Sequence, residues 1–120
     1  MKFNFITLEV ALQLADTLGP TLNALKSKNK DLADQAKRAL QSTALNLAEG
    51  SRAQGGNKLR HFHIAAGSLE EALTALRLAN SFGEIDPTTI PRIEPVVERL
   101  RQLLWRLTHP SSPTVPKPSE

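Results

Sequence analysis

Apolar residues recur along this chain at spacings of three, four and seven, the period of one face of an α-helix. Phe5, Leu8, Leu12, Ala15 and Leu22 mark a first helix from about Asn4 to Lys26. Gly19-Pro20 predicts a kink or a break within it, because proline removes a ladder hydrogen bond and crowds the preceding turn. Ser27–Lys30 reads as a polar turn, with Asn29 or Asp31 as the cap of a second helix reaching about Ala53. The core face of that helix is Leu32, Ala36, Leu40, Thr43 and Leu47. Gln54-Gly55-Gly56-Asn57 reads as the clearest loop.

A third helix turns Phe62, Ala65 or Ala66, Leu69, Leu73, Leu76 and Ala79 inward and ends near Ser81–Gly83, with Gly83 as its terminator. Asp86-Pro87 opens a fourth, whose stripe is Ile90, Ile93, Val97, Leu100, Leu104 and Leu107. Four amphipathic helices joined by short loops predict an all-α fold, an antiparallel up-and-down four-helix bundle over residues 1–108. The remainder, 109–120, reads HPSSPTVPKPSE and predicts a disordered Pro/Ser-rich tail.

Two segments depart from ordinary helix composition. Ser42–Gly50 reads STALNLAEG and Phe62–Leu73 reads FHIAAGSLEEAL, both dense in Ala, Gly and Ser. Small residues let helix backbones approach, and polar groups held at such a crossing need partners. The pattern predicts a fixed joint between helices two and three, with Gly67 beside Ser68 permitting the close crossing. Asn46 and Glu49, three residues apart, reach one side of helix two, either to bond helix three or to order an interface.

A second, mixed stripe runs along three helices. Leu45 shares a face with Arg38, Gln41, Glu49 and Arg52; Ile64, Ala75 and Leu78 with Arg60, Ser68 and Glu71; Trp105 with Glu94, Glu98 and Arg101. Apolar residues rimmed by charge describe a protein–protein interface as readily as an ordinary surface. Homo-oligomerisation is the expectation, with Arg38, Leu45, Glu49, Ile64, Leu78 and Trp105 at the contact.

Composition narrows the chemistry. The 120 residues include no Cys, so thiolate and disulfide chemistry are absent, and the start lacks the uninterrupted apolar run of a signal peptide. The expectation is a soluble cytoplasmic protein without membrane contact. Fifteen basic against twelve acidic residues give a net charge of +3, which permits nucleic-acid binding without requiring it.

The two small-residue segments also carry a family resemblance. Ser42, Asn46, Leu47, Ala48, Glu49 and Gly50 match the phrase S-I-x-x-N-I-A-E-G, and Phe62, Ala65, Gly67, Ser68, Leu69 and Glu71 match F-x-x-I-A-x-G-S-L-x-E. In this register the chain resembles, over about Phe3 to Thr108, the proteins encoded by intervening sequences in bacterial large-subunit ribosomal RNA genes. The accessory variability (Avd-like) proteins of diversity-generating retroelements belong to the same group. Ser51-Arg52-Ala53 stands where the family often has S-G-R, and Gly55 where it has a Ser or Thr cap before helix three. The resemblance implies a four-helix bundle assembling as a ring-like pentamer. For the retroelement member it implies binding of nucleic acid and a reverse transcriptase through a basic surface.

Residues with chemistry form no catalytic set. Ser68 has no base or oxyanion donor beside it. His61 and His63, two apart on a helix, point roughly 200° from one another and cannot share a metal by helical spacing. Gly55-Gly56-Asn57-Lys58-Leu59 lacks the P-loop order and no strand precedes it. The expectation is no enzyme, no metal and no cofactor. The candidate nucleic-acid contacts are Lys37, Arg52, Lys58 and Arg60, which ring symmetry would repeat around a rim; RNA and DNA both stay open.

Overall fold

A computed structural model describes residues 4–110. They form four helices: α1 (Ile6–Lys28), α2 (Lys30–Arg52), α3 (Gly55–Ser81) and α4 (Thr89–Thr108). Among the described residues there is no strand, and no helix is long and apolar enough to cross a membrane.

Side-chain contacts fix the topology. Asn29, alone between α1 and α2, donates from Nδ2 to Glu84 Oε1 in the α3–α4 connection at 2.9 Å, so these two turns share one end of the bundle. At the other end the rings of Phe5 and Phe62 lie 6.0 Å apart. His63 near the start of α3 lines one depression with Trp105 and His109 at the end of α4. The helices therefore run up, down, up, down. α1 packs on α2 and α4, α3 packs on the same two, and α2 with α3 is the most intimate pair.

The predicted core faces of α2, α3 and α4 are mostly inside: Leu47, Leu69, Leu76 and Leu100 are wholly buried, while Leu73, Ile90 and Leu107 are half-buried at the edge. For α1 the expected stripe was too narrow. Leu14, Leu18 and Leu25 are wholly buried, whereas Leu12 and Ala15 are half-buried at its edge. A helix wedged between two neighbours buries a broad arc, and spacing alone picks out only one row of it.

The helix ends follow local chemistry. Asn29 Oδ1 accepts from the Leu32 amide at 3.1 Å, capping α2. At the end of α3 the Glu84 amide reaches the Ala79 carbonyl at 2.9 Å around Gly83, whose φ of 70° disfavours any side chain. Asp86 Oδ1 accepts from both the amide and the hydroxyl of Thr88, at 2.8 and 2.7 Å, before α4 starts at Thr89. Those bonds hold the Asp86 carboxyl below its usual range.

Three expectations are corrected. α1 does not break at Gly19-Pro20 but runs on to Lys28; Pro20 and Asp16 are exposed, on a face where water is at hand for a lost ladder bond. The Gln54–Asn57 loop is shorter than predicted. Only Ala53 and Gln54 lie outside helix, and Gly55, with φ of 60°, is the first residue of α3 and not its cap. His109 is no part of a loose tail, since its ring stacks on Trp105 at 4.2 Å. The remaining tail, 111–120, lies outside the described residues.

Candidate functional site

The α2–α3 seam holds a chain of hydrogen bonds built from the two small-residue segments. Ser42 and Asn46 are one turn apart on α2, so both face the same neighbour. Ser42 Oγ meets Ser68 Oγ of α3 at 2.7 Å. Asn46 Nδ2 donates to the Ser42 carbonyl at 2.9 Å and to its hydroxyl at 3.2 Å. Its Oδ1 lies 2.9 Å from His61 Nδ1, which must carry the proton because an amide oxygen only accepts. No side-chain nitrogen or oxygen that is buried among the described residues lacks a partner. A network satisfied in this way fixes the register of α2 on α3.

The close crossing is at Gly50, not Gly67. A Cβ on Gly50 would come within 2.6 Å of Phe62 Cε1, whereas Gly67 is exposed with nothing within 4 Å of that position. The phrase ending at Gly50 thus supplies the contact that the sequence suggested for Gly67. Ala75, expected on the outer face, is buried. Glu49 and Glu71 are exposed and form no hydrogen bond or ion pair within the described residues, so only Asn46 and Ser68 of the polar candidates serve the joint.

The four basic candidates do not form one cluster. Arg52 ends α2, while Lys58 and Arg60 lie in the first turns of α3, all at the Phe5–Phe62 end. Lys37 is fifteen residues before Arg52, about 22 Å along the helix. Lys58 Nζ reaches the Ser51 carbonyl at 3.4 Å and sits 5.6 Å from the Phe62 ring centre, so it closes the end of α2 as well as carrying charge. Arg60 bonds Asn57 Oδ1 through Nε and a terminal nitrogen, at 3.3 and 3.0 Å. Arg52 is exposed without an ion partner among the described residues. At the opposite end basic and acidic residues are interspersed, and Lys30 pairs with Asp34 at 2.7 Å.

The predicted interface residues are exposed: Leu45, Ile64, Leu78 and Trp105, joined by Ile6 and Phe82, which the periodicity did not single out. Arg38 is exposed as well. Between α3 and α4 runs a groove of about 390 Å³ floored by Leu73, Ile90, Ile93 and Val97. Arg101 closes its rim with a bidentate pair to Glu70, at 2.8 and 2.6 Å, and the carboxylate raises the Arg101 pKa. His63 and His61 serve separate places, the α3–α4 depression and the α2–α3 seam. Among the described residues no three His, Cys, Asp or Glu converge as a metal site would need.

The described residues thus form a four-helix bundle whose buried polar side chains are all partnered and whose large exposed apolar side chains stand on its outer faces. The chain belongs to the 23S rRNA-intervening sequence protein family, whose match covers residues 4–106. No curated protein and no solved structure matches it.

Proposed function

We propose that this protein is a non-enzymatic helical bundle that assembles with copies of itself and binds RNA or DNA through phosphate contacts at its basic end. A ring of five is the count that the family resemblance implies, and the cytoplasm is the compartment that suits a chain without cysteine. The observation that carries the assembly is the row of exposed large apolar residues on α2, α3 and α4, each rimmed by charge. Arg52, Lys58 and Arg60 occupy one end, so symmetry would multiply a small monomer surplus into a continuous positive rim. Lys37, standing apart, would add a separate contact. A reverse transcriptase is a partner to expect only where the gene lies in a retroelement.

The exposed Phe82 and Leu78, far from the basic end, favour a second reading: an adaptor that binds protein and no nucleic acid. Sedimentation velocity of the wild-type chain, alone and then with a structured RNA, tests the proposal. A native mass several times 13.1 kDa that shifts further with RNA agrees with it. An assembly indifferent to RNA selects the adaptor, and a monomer at every concentration overturns both readings.

A further inference from the structure

We infer that the outer face of α2 on one copy docks along the outer face of α4 on a second copy, Leu45 meeting Trp105 and Arg38 meeting Glu98. This rests on the assembly reading and names its contact. Leu45 and Trp105 are 64% and 60% exposed. α2 and α4 stand diagonally across the bundle, so one copy cannot bring the two residues together.

The spacing on the two helices matches. Arg38 precedes Leu45 by seven residues, and Glu98 precedes Trp105 by seven. Seven residues are two turns, about 10.5 Å, and return to nearly the same helical face. Laying the helices side by side in parallel with Leu45 on Trp105 therefore places Arg38 on Glu98. The charges are opposite, both side chains are exposed, and neither has a salt bridge among the described residues. The Trp105 ring is already oriented, because His109 stacks on one face at an interplanar angle of 13° and its Nδ1 lies 2.9 Å from the Trp105 carbonyl. An anchored aromatic beside a complementary charge is what an interface hot spot requires.

Two different surfaces of the same chain meet in this contact, so each copy keeps one of each to offer. Assembly then proceeds head to tail and closes only as a ring.

Charge reversal tests the pairing. Arg38→Glu and Glu98→Arg each lower the association constant about tenfold or more, and the double reversal restores it. Sedimentation supplies the mass, and far-ultraviolet circular dichroism checks that each variant is folded. Trp105 is the chain's single tryptophan, so its emission moves to shorter wavelength as the wild-type chain assembles. Single reversals that leave the mass unchanged overturn the contact while assembly stands. The same holds for a folded double variant that stays dissociated, or for assembly without a shift in emission. A wild-type monomer at every concentration overturns the assembly reading and the contact with it.

Discussion

The ring of Phe62 fills the space that any side chain at Gly50 would need, with Cε1 2.6 Å from the position of a Cβ. Phe62 is only 4% exposed and also packs near Phe5, so it has no room to retreat. Overpacking a filled core costs roughly 1–3 kcal/mol, against roughly 1 kcal/mol of helix propensity that alanine returns. Gly50→Ala is expected to destabilise by about 1 kcal/mol. Gly67→Ala, in open space on an exposed helix face, is expected to stabilise by about 0.5–1 kcal/mol. Urea denaturation of the two variants checks the contrast, and equal effects would contradict the placement of the crossing.

Asn46 links Ser42 to His61 and thereby α2 to α3. Asn46→Ala leaves the half-buried His61 donor without its acceptor, at about 1–3 kcal/mol. In a double-mutant cycle with His61→Ala, a coupling of at least about 0.5 kcal/mol is expected. Strict additivity of the two losses would mean that the bond contributes nothing.

Arg52, Lys58 and Arg60 share one end of the bundle, and their joint replacement by Ala is expected to weaken binding to a structured RNA. Every phosphate that is no longer neutralised lowers the slope of log K against log salt by about 0.7–0.9. Lys37→Ala alone should change the slope by no more than one such step. An unchanged slope in the triple variant would remove these residues from the nucleic-acid surface.

The entry to α4 should respond to acid. Because the Asp86 carboxyl lies below its usual range in the fold, its contribution is complete above the ordinary carboxylate range and is lost as pH falls through its lowered folded value. The Thr88 amide resonance is expected to move in that lower window and to lose the step in Asp86→Ala. A midpoint at or above the ordinary aspartate value would contradict the geometry at this turn.

Much of the fold is legible in the residues. Leucines at three and four spacing on α2, α3 and α4 have only one side to bury, and Asn29, Gly83 and Asp86 act locally at helix ends. Gly67 misled because a small residue in a helix predicts a close approach without saying which glycine meets a bulky neighbour. That needs the register of α2 on α3, which brings Phe62 over Gly50. The partnership of His61 with Asn46 was hidden for the same reason, since fifteen residues and a loop separate them. Of the candidate sites, exposure of Leu45, Ile64, Leu78 and Trp105 followed from periodicity. The separation of Lys37 from Arg52 followed from helix length, once α2 was known to be unbroken.

Binding of the wild-type protein to a structured RNA and to duplex DNA across a salt series, in a sample whose native mass is determined alongside, decides whether the basic end is a phosphate-reading surface. Micromolar or tighter binding that falls steeply with salt is expected, as phosphate contacts demand. An assembled protein that binds neither ligand at low salt would rule out that role.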